Sequence, residues 1–228
     1  MRSAAATAVP TDERPDPSPC VLPQTPGLRA VFAEIRDRRA RLEVFVPKAR
    51  RIMRMLMEAA VDMLPHEPYD VTTPSGSTYH GQRLSTGVCG VSVLRAGDSM
   101  EAEFREVLPT EPVGKILIQR DPETKRPHFH FAKLPNDIAE RHVLLLDPML
   151  ATGGTAVEAC SQIVDRGVPA ERIVFVSLLS VREGLDRLAG AHPQVRVLTA
   201  SVEAALNQQA FMVPGIGDFG DRFFGTWE

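Results

Sequence analysis

Asp147, Thr152, Gly153, Gly154 and Thr155 have the types and spacing of an anion site with an acid beside it. Glycines let a backbone approach a ligand closely, and the N–H groups at the start of a helix point outward with the partial positive charge of the helix dipole. Thr152 and Thr155 add hydroxyl donors for phosphate oxygens. Asp147 cannot itself ligate phosphate; a ribose diol or a magnesium ion suits it. The stretch lacks the lysine of GxxxxGK[ST] and the spacing of GxGxxG, and a plain turn is the other reading of TGGT. Arg95 and Arg120 each follow an apolar run and can fork onto a phosphate or pyrophosphate, or serve as surface arginines. Near the C-terminus, Gly217-Asp218-Phe219 sits in a glycine-rich stretch whose backbone N–H and C=O groups could read the edge of a flat heterocycle. A docked C-terminal loop is the alternative. His128 and His130 share one face at period two and read as solvent-facing, since no third metal ligand stands nearby.

These residues need a scaffold that gathers strand ends. Val143 to Leu146, Val88 to Leu94, Gly114 to Gln119 and Arg172 to Leu179 are short apolar runs of the kind buried on both faces of a parallel sheet. From Val143 onward the order is βαβαβ, with a helix opening at Thr155, a helix from Arg182 to Ala189 and a strand from Val195 to Thr199. Strand C-termini then collect on one edge, where open α/β sheets bind ligands. Leu28, Val31, Phe32 and Ile35 mark one helix, and Pro47 suits the first turn of a second that runs to Pro65. The second carries Lys48, Arg50, Arg51 and Arg54 on its other face, readable as a solvated face, an anion or effector site, or a subunit contact. Residues 68–83 read as a β-hairpin arm turning at Pro74-Ser75-Gly76 and suited to a neighbouring subunit. Phe129, Phe131 and Leu134 alternate with polar residues in a second hairpin that could act as a flap. Val213 to Thr226 reads as too irregular for a helix, and residues 1–27, with six prolines between Pro10 and Pro26, as a disordered tail.

Composition bounds the function. At 228 residues, 43% hydrophobic and 24% charged, with a net charge of −3, the chain offers one domain with a sizeable core and no electrostatic case for nucleic acid. Cys20, Cys89 and Cys160 are odd in number and widely spaced, which argues against a disulfide framework or zinc site and fits a reducing compartment. No run approaches the ~20 apolar residues that span a bilayer, and the N-terminus lacks an apolar signal core. A cytoplasmic protein without a membrane partner is expected.

The segments Cys89 to Met100 (CGVSVLRAGDSM), Gly114 to Asp121 (GKILIQRD), Lys133 to Arg141 (KLPNDIAER), Leu145 to Thr155 (LLDPMLATGGT) and Thr199 to Thr226 resemble those of uracil phosphoribosyltransferases, particularly the eukaryotic-type branch. The resemblance implies an α/β, type I phosphoribosyltransferase fold: a central, mainly parallel sheet flanked by helices, with a β-hairpin arm and flap. It would occupy residues 28–228, with N-terminal helices over 28–64, the arm over 68–83, the core over 88–200 and a uracil-binding segment over 210–226. The implied reaction joins uracil to 5-phosphoribosyl 1-pyrophosphate (PRPP), giving UMP and pyrophosphate in pyrimidine salvage.

Carried onto this chain, the family's donor loop is Asp147, Pro148, Met149, Leu150, Ala151, Thr152, Gly153, Gly154 and Thr155. Asp147 would take the ribose hydroxyls and the Ala151–Thr155 turn the 5′-phosphate. Arg95 and Arg120 would grip the pyrophosphate. Met212, Gly217, Asp218 and Phe219 would hold uracil, with Asp218 also beside the donor, and Asp218 and Arg120 are the catalytic candidates. The resemblance further implies Mg2+ carried by PRPP with no direct protein ligand, a GTP activator met by Arg38 and Arg51, and a homo-oligomer, dimer or tetramer. The chain departs from the family at Ser180-Val181-Arg182-Glu183-Gly184. Two other readings remain: a non-catalytic nucleotide- or RNA-binding regulator, for which the Lys48–Arg54 patch is the one candidate surface, and a phosphoribosyltransferase for purine or orotate. The lone acid Asp147 before Pro148 weighs against the latter.

Overall fold

Val143 and Leu145 face one layer of helices while Leu144 and Leu146 face the other, so a single apolar run is buried on both sides. A computed structural model of the chain describes residues 18–120 and 127–226, and for Arg120 the backbone alone. In chain order it contains β1 (Cys20–Val21), α1 (Pro26–Arg36), α2 (Leu42–Asp62), β2 (His66–Thr72), β3 (Thr78–Leu84) and β4 (Val88–Leu94). There follow α3 (Glu101–Val107), β5 (Val113–Arg120), β6 (Pro127–Lys133), β7 (His142–Leu146), β8 (Met149–Leu150) and α4 (Gly154–Val164). The chain continues through β9 (Ile173–Val181), α5 (Arg182–Ala191), β10 (Arg196–Glu203), β11 (Ala205–Leu206), β12 (Met212–Val213) and α6 (Phe219–Phe224).

Among the described residues, eight strands form the main sheet in the order β1-β10-β9-β7-β4-β5-β6, with β8 continuing alongside β9. All its pairings are parallel except β5 with β6. The chain steps outward from β4 to β5 and then returns to the other side of β4 with β7, so the strand order reverses between β4 and β7. A crevice at the carboxyl ends of these two strands is where such a sheet takes a ligand. The helices α1, α2 and α6 cover one face around Phe45, Phe104 and Phe219. Helices α4 and α5 cover the other around Ile163, Phe175 and Leu188. The β2–β3 arm stands as a separate antiparallel hairpin with Tyr69, Val71 and Tyr79 exposed. No described helix is long and apolar enough to cross a membrane.

Four expectations change. Residues 1–17 lie outside the described residues, but Cys20–Val21 already pairs with β10 and Thr25 caps α1 through its hydroxyl, so the tail boundary at 27 is too late. Helix α2 begins at Leu42, not at Pro47. A proline six residues in removes one backbone bond, and burial of Phe45 on the sheet side holds the extra turn. Arg50 and Arg54 are not merely solvated, since both bond to the buried Glu103 at 2.7 and 2.9 Å. Finally, the C-terminal stretch contains the helix α6, capped by Asp218, whose Oδ1 accepts the Asp221 N–H at 2.8 Å.

Burial also settles the cysteines. Cys89 and Cys160 are buried, and burial pushes their thiols up to about 11 and about 12. Cys20 is exposed. A maleimide added at pH 7.5 should therefore label Cys20 alone in the native protein, and all three after denaturation, by mass spectrometry. Native labelling of Cys160 would contradict this packing.

Candidate active site

The register between β4 and β7 brings the first two site residues together. Ser92 pairs with Leu146, so Asp147 lies one residue, and Arg95 three, beyond the same rung. The turn after β4 presses on the end of β7: a Cβ at Gly97 would lie 2.2 Å from the Leu146 carbonyl oxygen, so only glycine fits there. The Leu94–Arg95 peptide is cis. Asp147 is 9% exposed, and its Oδ1 accepts the Met149 N–H at 3.4 Å.

The loop after Asp147 is held from beneath. The Pro148 carbonyl accepts the N–H groups of Leu178 and Leu179, both at 3.0 Å, and the Ser177 hydroxyl at 3.2 Å. Met149 and Leu150 then run beside Leu179 and Ser180. Gly153 turns the chain with φ +76°, a left-handed conformation that glycine adopts at no steric cost, and α4 starts at the next residue. The first N–H groups of a helix have no partner within it. Here that end opens into a cavity lined by Asp147, Ala151, Gly153, Thr155 and Ala156.

The opposite wall comes from the C-terminal segment. After the β11–β12 hairpin, the chain passes through Pro214, whose preceding peptide is cis, and Gly215 to Ile216, which is buried. Gly217, Asp218, Phe219 and Gly220 complete the wall, with Met212 beside them. Phe219 is locked by Phe45 at 5.7 Å and Phe223 at 5.5 Å between ring centroids. Arg95 joins the walls: its guanidinium donates to Asp221 at 2.7 Å and to the Thr226 hydroxyl at 3.0 Å, and lies over the Phe224 ring. The Thr226 hydroxyl and the Arg95 guanidinium together hold the Asp221 carboxyl below the usual range.

The cavity has a volume of about 430 Å³ and is lined by both walls at once. It gathers Arg95, Asp147, Met149, Leu150, Ala151, Gly153, Thr155, Met212, Gly217, Asp218 and Phe219. Pro148, Thr152 and Gly154 belong to the loop but not to the lining. Pro148 anchors the sheet, Gly154 backs onto Arg187, and the Thr152 carbonyl accepts from Arg187 at 3.4 Å. The Arg120 side chain and residues 121–126 lie outside the described residues, so the expected second cation has no place assigned. Gln209, Ala210 and Phe211 form a rim; Ala210 and Phe211 begin the segment expected at the base, though neither was singled out, and Gln209 lies just before it. Their signal was faint: Asn207, whose side-chain oxygen accepts the N–H groups of Gln209 and Phe211, is a typical turn former. Arg38 and Arg51 do not meet. Arg38 lines a cavity with Arg36, Arg39, Arg41 and Arg222, whereas Arg51 lies on a surface with Pro47, Arg50 and Arg54.

Comparison with known proteins adds three findings. The family model described as uracil phosphoribosyltransferase matches residues 21–226. A uracil phosphoribosyltransferase of Dictyostelium discoideum is 45% identical over 206 residues, covering 90% of this chain and 95% of its own. That of Saccharomyces cerevisiae is 42% identical over 204 residues, covering 90% and 94%. Among solved structures, the AQ2163 protein from Aquifex aeolicus superposes with a TM-score of 0.81 at 28% identity, covering 92% of this chain and 99% of that one.

Proposed function

The chain belongs to the uracil phosphoribosyltransferase family, and on that premise we propose how its cavity divides two substrates. The enzyme transfers the 5-phosphoribosyl group of PRPP to uracil, giving UMP and pyrophosphate, on the type I phosphoribosyltransferase fold. In our reading the Ala151–Thr155 turn holds the 5′-phosphate and Asp147 the ribose hydroxyls. Arg95, with Arg120, grips the pyrophosphate. A guanidinium carries five N–H donors, so bonding to Asp221 and Thr226 leaves Arg95 capacity for an anion. Met212 and the Gly217-Asp218-Phe219 backbone hold uracil. The observation that carries this division is that loop and C-terminal segment line one cavity, with Arg95 between them.

The chemistry follows from charge. As the bond from C1′ to pyrophosphate loosens, the sugar becomes cationic and the leaving group gains negative charge. The arginines stabilise the second, the helix start holds the donor by its 5′-phosphate, and Asp218 places a carboxylate beside the first. Holding uracil N1 against C1′ supplies the rest. Magnesium arrives with the donor's phosphates. Among the described residues, no group of three or more His, Cys, Asp or Glu side chains is placed to hold an ion. We further assign a cytoplasmic location, self-association through the exposed apolar side chains of the β2–β3 arm, and GTP as the effector. For GTP the cavity around Arg38, about 730 Å³ and lined by five arginines, offers more room and more cationic groups than the one around Arg51, about 420 Å³ and lined by Arg50, Arg51 and Arg54 beside Glu103.

Product formation from PRPP and magnesium, assayed in parallel with uracil, cytosine, hypoxanthine and orotate, tests the activity. Uracil alone should turn over, and its failure would contradict the reading. The phosphate turn is tested by Gly153→Ala. Alanine in the left-handed conformation costs about 1–2 kcal/mol, and its Cβ would lie 2.8 Å from the Gly184 carbonyl oxygen. The PRPP KM should rise roughly 10-fold while the uracil KM holds. Equal effects on both would remove the turn from the donor side.

A further inference from the structure

The peptide units leading into the base wall are fixed from behind, by residues absent from the cavity lining. Glu203, at the end of β10, is 4% exposed, and its Oε2 accepts the Gly215 N–H at 2.7 Å. Arg36, at the end of α1, donates to both Glu203 oxygens at 2.6 and 2.8 Å and to the Gly215 carbonyl at 2.9 Å. Both polar groups of one residue are thus tied to a single ion pair. Arg222, on α6, donates to the next carbonyl, that of Ile216, at 2.8 Å. It also donates to the carbonyls of Ile35 at 2.7 Å, Asp37 at 2.9 Å and Ala40 at 3.3 Å, and stacks on the Phe45 ring at 4.3 Å. Burial alone would push the Glu203 carboxyl up, but the Arg36 guanidinium and the Gly215 N–H outweigh it and hold it ionised.

We propose that Arg36, Glu203 and Arg222 are positioning residues for the pyrimidine. They clamp the Gly215 and Ile216 backbone and so fix where Gly217 and Asp218 meet the base. The inference rests on the assignment of that wall to uracil. Recognition of a base edge by backbone groups tolerates little displacement, because a shift of about 1 Å at a reacting centre already costs rate heavily. Pairing at the wall depends on a charge-assisted network whose members are far apart in sequence. Glu203→Gln keeps the shape and one acceptor but removes the charge that orders Arg36. Arg36→Lys keeps the charge but cannot fork onto both the carboxylate and the Gly215 carbonyl. Losing a bond to a charged partner corresponds to roughly a 10-fold change.

Steady-state kinetics of both variants, with either serving if the other fails to fold, provide the test. The uracil KM should rise about 10-fold, the PRPP KM should stay within about twofold, and the preference for uracil over cytosine should fall. A purely structural role would lower the melting temperature and leave both KM values and the preference unchanged, overturning the proposal. Met212→Ala, measured alongside, reports on the wall itself, which Met212 lines. An altered uracil KM in that variant with unaltered E203Q and R36K rejects the clamp alone. An unaltered uracil KM in M212A rejects the base site and the clamp with it.

Discussion

An Asp147→Asn enzyme should lose about 100-fold in kcat/KM for PRPP while its fold and melting temperature hold. Asp147 directly follows β7 at 9% exposure and lines the cavity between the two walls. Asparagine keeps the size and one oxygen, and it can still accept the Met149 N–H. What it lacks is the charge and the second acceptor needed to bind two ribose hydroxyls at once. Hydrogen bonds to a charged partner contribute about 1.5–3 kcal/mol each, so weakening two removes roughly 3 kcal/mol, or two decades. Kinetics with PRPP varied at saturating uracil measure this. Unchanged constants would leave Asp147 with a purely structural place at the strand end.

Asp218→Asn should lower kcat by roughly 10- to 100-fold, again with little loss of stability. Asparagine caps helices about as well as aspartate, so the bond from the Asp221 N–H to position 218 survives and α6 stays in place. The lost item is negative charge beside a sugar that turns cationic in the transition state. An interaction made only in the transition state lowers kcat and kcat/KM together and leaves KM near its starting value. A thermal melt run beside the kinetics separates the two roles. If kcat held and the melting temperature dropped, Asp218 would be a cap and nothing more.

The sheet was legible because its strands obey a simple pattern. A run such as Val143–Leu146, apolar at every position and short, suits a strand covered on both sides, and the acids and cations at such ends mark one edge. The sequence alone therefore places residues 147–155 beside Arg95 at that edge. What the sequence hid are contacts with no local signature. Glu203 and Arg36 are 167 residues apart, and nothing in either neighbourhood announces their ion pair. Asp221 as the partner of Arg95, 126 residues away, was hidden for the same reason. Helix α6 escaped because six residues between Gly217 and Gly225 are too short to show a period; its Asp218 cap and the packing of Phe219 against Phe45 hold it instead. Pro47 misled in the other direction. Proline favours a first helical turn, but the buried face of α2 extends back to Phe45, and packing outweighs one lost backbone bond.

The division of the cavity is most directly tested by a crystal structure of the protein with UMP. The account predicts the 5′-phosphate at the N–H groups of the Ala151–Thr155 turn, the ribose hydroxyls on Asp147, and the uracil edge against Gly217 to Phe219. Density for the base at the start of α4, or for the phosphate against the C-terminal glycines, would contradict it.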